Sequence, residues 1–124
     1  MKENGRLEKW NKQLEITTGF SSLEMGKMSF FDFIDPKETE SAQNRIKKIF
    51  ETGAGDFETK MAVRGGKYVP YYINCSRTQL DSETHIIAVG MDISERMRQQ
   101  EERQTLQTQL NQARKMESVG TLAG

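Results

Sequence analysis

Two side chains stand out for their chemistry: Cys75 and His85, the only cysteine and the only histidine in a chain of 124 residues. A thiol can act as a nucleophile or metal ligand, and an imidazole as a base, a ligand or a proton carrier. One cysteine forms no internal disulfide, and with one histidine it falls short of a structural zinc set, so no metal site is expected. His85 follows Asp81-Ser82-Glu83-Thr84 and is expected as an exposed histidine at a strand end. Cys75 lies in an alternating run and is expected as a small core residue. The sequence shows no nucleophile–base pair and no phosphate-binding glycine loop, so no catalytic residue is assigned.

The more informative acid is Asp92. The apolar run Ile86–Met91 ends on it, and the chain then stays polar and helix-forming to about Gly120. Asp92 is expected to open that helix, where a carboxylate meets free N–H groups and the positive end of the helix dipole. A strand feeding directly into a helix makes this junction the exit from whatever precedes it.

The elements before the junction are short. Asn4-Gly5 is a turn pair, and Arg6–Trp10 alternates as a half-buried strand does. Asn11 caps a helix over Lys12–Thr18, which Gly19 stops. Ser21 and Glu24 have capping-box spacing. Asp35-Pro36 ends an apolar stretch, and Pro36 suits the first turn of a helix over Lys37–Thr52. There Ala42, Ile46, Ile49 and Phe50 share one face. Phe57–Arg64, Tyr68–Thr78 and His85–Met91 then read as three strands joined by Gly65-Gly66 and Asp81-Ser82-Glu83, an antiparallel meander.

In the long helix, Leu106, Leu110 and Ala113 follow coiled-coil spacing, and Met116, Val119 and Ala123 continue in a second register. The step from Ala113 to Met116 is a break in heptad phase. The expected organisation is a sensor domain over residues 4–93 and a signal helix over 94–124.

Composition narrows the partners. Lys+Arg 18 and Asp+Glu 18 cancel, which argues against nucleic acid and against an acidic membrane surface. No apolar run approaches a membrane span and no signal peptide opens the chain, so a reducing cytoplasm is expected.

The order of elements resembles a PAS domain of the S-box kind. The resemblance rests on Asn4–Asn11, Thr18-Gly19-Phe20-Ser21 with Glu24-Met25-Gly26, Asp32–Pro36 with Glu38, Phe50-Glu51-Thr52-Gly53, Arg64-Gly65-Gly66, and the closing Asp92-Ile93-Ser94-Glu95-Arg96. It implies an α+β fold with an antiparallel sheet, short helices on one face and a long C-terminal helix. Relatives have five strands with the first in the middle beside the last, and residues 1–3 are too short to supply that strand. The open edge of His85–Met91 is therefore expected to be filled by a second chain, a swapped segment or a neighbour's tail, giving a homodimer.

The resemblance also places a ligand pocket between the sheet and the longer helix. Its walls would be Ile46, Ile49, Phe50, Thr59, Met61, Tyr71, Ile73, Ala88 and Gly90. The competing reading is that these side chains pack one another and nothing binds. Asp92 would pair with a cation such as Arg96, with Ser94 beside it, to latch the sheet to the output helix. A histidine-ligated haem is not expected, because Lys37–Thr52 carries no histidine, nor is a covalent flavin, because Cys75 lies in a strand.

The tail, Gln112–Gly124, resembles the run leading into the phosphoacceptor helix of a sensor histidine kinase. These 124 residues carry neither the acceptor histidine nor an ATP-binding domain. The expectation is a non-catalytic sensory module whose partners are a histidine-kinase core and a response regulator, coupled through the dimer-helix residues Leu106, Leu110, Ala113, Met116 and Val119. A plain dimerisation scaffold is the alternative.

Overall fold

The computed structural model describes the backbone of residues 1–123 and the side chains of residues 1–117. The chain divides into two units, Met1–Ile93 and the segment beginning at Ser94.

In the first unit, three antiparallel strands follow one another: β1 (Ala54–Val63), β2 (Lys67–Leu80) and β3 (Glu83–Asp92), in sheet order β1-β2-β3. Gly65 and Gly66 turn the first hairpin with φ of 94° and 76°. Asp81 and Ser82 turn the second at φ 51° and 66°, the left-handed pair that a two-residue hairpin needs to match strand twist. Four short elements precede the sheet. Helix α1 (Lys12–Thr18) is capped by Asn11, whose side-chain oxygen accepts from the Leu14 N–H at 3.0 Å, and Gly19 ends it in the left-handed region. Helix α2 (Ser22–Met25) carries the Ser21/Glu24 capping box. A 3-10 turn at Phe30–Phe33 repeats that device with Ser29 and Asp32. Helix α3 (Thr39–Thr52) stops at Gly53, φ 99°.

The core forms where α3 meets the sheet. Ala42, Ile46 and Ile49 pack with Phe57, Met61, Ile73, Cys75 and Ile86, and Met25, Phe30, Phe33 and Ile34 close the side. The helix lies so near β1 that a Cβ on Gly55 would stand 2.8 Å from Ile49 Cγ1. Cys75 is buried as expected, and burial pushes its thiol pKa up to about 11. The second unit is one helix, α4 (Ser94–Ala123).

Several expectations change. Arg6–Trp10 is not a strand: only Arg6 forms a bridge, to Ser29, and Phe30 N–H donates to Gly5 O at 2.7 Å. The segment pairs with residues 28–30 rather than with the sheet, and Trp10 is half-buried against the core. Pro36 lies in a turn ahead of α3, where Glu38 N–H donates to Asp35 O at 2.8 Å. Asp92 does not begin α4. It is the last residue of β3, opposite Tyr71, and Ile93 stands between it and Ser94. His85 is not exposed but 3% accessible. At the edge of β3, Met1 exchanges both backbone hydrogen bonds with Ile86, so the outer side of the strand is bonded at that residue.

Candidate functional site

The residues expected to wall a pocket come from α3 and from the sheet face it covers. Alternation along the strands puts Thr59 and Met61, Tyr71 and Ile73, and Ala88, Gly90 and Asp92 on that face. The register confirms it, with Thr59 opposite Tyr71, Ile73 opposite Gly90 and Tyr71 opposite Asp92. Ile46, Ile49, Thr59, Met61 and Ile73 are all buried, and Phe50 and Tyr71 are half-buried against them. A Cβ on Gly90 would lie 3.2 Å from Ile73 Cδ1, so the neighbouring strand's side chains occupy the space the glycine leaves. Ala88 and Gly90 themselves are exposed.

Thr59 is held rather than free. Its hydroxyl donates to Glu38 Oε2 at 2.9 Å, and the same oxygen accepts the Lys60 N–H at 2.6 Å. A cleft of about 120 Å³ runs beside this contact, lined by Glu38, Ser41, Ala42, Arg45, Phe57, Glu58 and Thr59. It lies at the start of α3 and takes in only Thr59 of the expected walls. Ile46 and Ile73 themselves belong to the buried core cluster.

At the exit, Ile93 is 2% exposed and its N–H donates to Pro70 O at 3.0 Å. Tyr71 stands nearby. Burial raises its pKa first and the Asp92 carboxylate adds to that, while a hydrogen bond with Thr17 works the other way. Thr17 O also accepts the Arg64 N–H at 2.9 Å, so the end of α1 is tied to the first hairpin. Ser94 and Arg96 belong to the first turn of α4. Farther along, Leu106, Leu110 and Met116 are 65%, 47% and 75% exposed, and Ala113 is exposed too. The side chain of Val119 lies outside the described residues.

Sequence reasoning missed two features. One is the Glu38 carboxylate that ties α3 to β1. The other is a charged cluster of Lys2, Glu8, Glu83 and His85. The period-two spacing of Glu83 and His85 was the available signal for the second, but its partners sit some eighty positions away.

A family model described as "PAS domain" matches residues 1–95. In structure the chain is similar to the PAS domain of a Desulfitobacterium hafniense protein, with TM-score 0.65 and 14% identity over 73% of this chain and 85% of that one. It is also similar to the PAS domain of the quorum-sensing receptor RpfR from Cronobacter turicensis. The RpfR complex with BDSF gives TM-score 0.59 and 19% identity, covering 73% of this chain and 86% of that one. The complex with C12:0 gives 0.58 at the same identity and coverage. No curated protein matches the chain. The family match takes in everything from the first residue to the start of α4, and the chain belongs to the PAS domain family.

Proposed function

We propose that this PAS domain is the sensory module of a two-component sensor histidine kinase, acting on the cytoplasmic side and passing its state through a paired α4 to a kinase core and, beyond it, a response regulator. The observation that carries the reading is the passage out of the sheet. A single buried residue, Ile93, separates β3 from α4, and its backbone is bonded to Pro70. In this reading, a change in the pairing of β2 with β3 is passed through Ile93 to the first turn of the helix. The exposed Leu106, Leu110 and Met116 support pairing, since a second helix would cover them. No helix of the described residues is long and apolar enough to cross a membrane.

The phase break between Ala113 and Met116 makes two registers available, and about 1–3 kcal/mol of coupling suffices to choose between them. Inserting one residue there in the intact kinase should change autophosphorylation sharply, and Asp92→Ala should weaken regulation more than folding. Unchanged output from the insertion refutes the coupling.

A second reading is a ligand-free dimerisation module, favoured by the packed interior around Ile46 and Ile73. The RpfR domain was solved with BDSF, and a bound small molecule would distinguish the sensor from the scaffold. Ligand-dependent shifts in the melting midpoint support the sensor, and their absence across a metabolite panel supports the scaffold.

A further inference from the structure

At the end of β3 remote from α4, four ionisable side chains converge. Glu8 Oε2 lies 2.6 Å from His85 Nε2, and Glu8 Oε1 lies 3.2 Å from Lys2 Nζ. Glu83 Oε2 lies 4.0 Å from His85 Nε2 and 3.5 Å from Lys2 Nζ. The other ring nitrogen, His85 Nδ1, is 3.2 Å from the Glu83 carbonyl oxygen. The imidazole side chain is only 4% exposed, whereas Glu8 and Glu83 are 38% and 61% exposed and free to adjust.

Both ring nitrogens therefore face oxygens that only accept: a carbonyl and a carboxylate. A neutral ring has one N–H and one lone pair and satisfies only one of them. The arrangement sets the His85 ring and the Lys2 ammonium against two carboxylates. A divalent cation placed between them would answer the charge of both carboxylates. It would take the Nε2 lone pair, while Nδ1–H stays on the Glu83 carbonyl, the outer contact that fixes a ligating histidine's tautomer.

The spacing fits. Bonds of about 2.0 Å in tetrahedral geometry set donor atoms roughly 3.3 Å apart. The observed 2.6 and 4.0 Å straddle that value, and the donor atoms of Glu8, Glu83 and His85 all lie within 4.8 Å of one another. One imidazole and two carboxylates, with water in the fourth position, are donors that suit zinc. An open groove of about 510 Å³, lined by Lys2, Glu3, Asn4, Glu83 and Thr84, gives access.

We propose that Glu8, Glu83 and His85 form a binding site for a zinc-class divalent cation, in which Lys2 is the resident counter-charge that the metal displaces. Glu8 belongs to the N-terminal segment and the other two ligands to β3, so occupancy fastens that segment to the strand that leads to α4.

The test is titration of the protein with zinc chloride, read by calorimetry and by the melting midpoint, with magnesium chloride as control. The expected result is one zinc per chain, a raised midpoint and no response to magnesium. His85→Gln keeps a donor for Glu8 and should abolish binding. Loss of an outer contact alone weakens a site by roughly 10–100-fold, so Glu83→Gln, which removes a direct ligand, should weaken it at least as much. Lys2→Met should tighten binding, the opposite of what loss of an ion-pair clasp would do. With a single histidine in the chain, zinc must also shift the His85 ring nitrogen resonances in the unaltered protein, a readout that stands even where His85→Gln fails to fold. No binding at millimolar zinc, binding unchanged in His85→Gln, or a thiolate-to-metal charge-transfer band from Cys75 on cobalt substitution would each overturn the site.

Discussion

Ile46→Ala tests whether the space between α3 and the sheet is filled by side chains or open to a ligand. Ile46 is 0% exposed and sits in the middle of the α3 apolar face. The substitution removes three carbons at about 0.8 kcal/mol each, or ~2.4 kcal/mol of lost transfer energy. The hole left behind raises the cost toward ~4 kcal/mol, within the ~2–5 kcal/mol range of such truncations. With a urea slope of about 2 kcal/mol per molar, the unfolding midpoint should fall by ~1.5–2 M. Trp10, the single tryptophan, reports the transition by fluorescence, and circular dichroism checks that the two probes agree. Val89→Ala is the control, because Val89 is 65% exposed on the other sheet face and should change stability by about 0.5 kcal/mol or less. Benzene should then raise the midpoint of the Ile46→Ala variant and leave the parent unchanged, since an apolar cavity stays dry and takes an apolar guest. A cost below about 1 kcal/mol would mean that Ile46 borders water or a vacant pocket, and the packed interior would be refuted.

Three further outcomes follow from other contacts. Glu38→Ala removes the acceptor of both the Thr59 hydroxyl and the Lys60 N–H and should cost about 1.5–3 kcal/mol in urea unfolding; a cost near zero would mean that water replaces the carboxylate. The Cys75 thiol, held up to about 11 against an ordinary 9.0, should resist iodoacetamide at pH 9 in the folded protein and react once unfolded. Because the folded value is the higher one, this contribution is complete below pH 9.0 and is lost as pH rises toward about 11, which a pH series of urea midpoints against Cys75→Ala would read. Gly55→Ala forces a Cβ to 2.8 Å from Ile49 Cγ1 and should destabilise by about 1–3 kcal/mol, whereas a neutral result would show that α3 can shift outward.

Much of the fold was legible because local signals agreed with tertiary packing. Asn11 and Gly19 bracket α1 as capping chemistry dictates, Ser21 and Glu24 close their box, and period-two alternation identified the meander. Arg6–Trp10 misled because alternation reports a half-buried segment, not the partner it bonds to, and here residues 28–30 take the place of the sheet. Asp92 misled by one strand residue: a carboxylate before a polar helix looks like a cap, but the ladder opposite Tyr71 continues through it. The candidate pocket was legible as a face, since α3 and strand parity identified Ile46, Ile49, Met61 and Ile73. Whether that face was full depended on how Ile73 leans over Gly90, which no one-dimensional pattern carries. His85 was misplaced for the same reason. Its burial and its contact with Glu8 arise only in the folded chain, and a pairing across 77 positions leaves no local trace.

That long reach has a consequence for the order in which the molecule assembles. β1, β2 and β3 are joined by tight turns, so their ladders close small loops and can zip early. The clasp between Glu8 and His85 closes a loop of nearly the whole domain, and its entropic cost is recovered only after β3 is in place. The N-terminal segment is then the last part to dock and the first to detach, so amide exchange at Ile86, bonded to Met1, should outpace that of its neighbours facing β2.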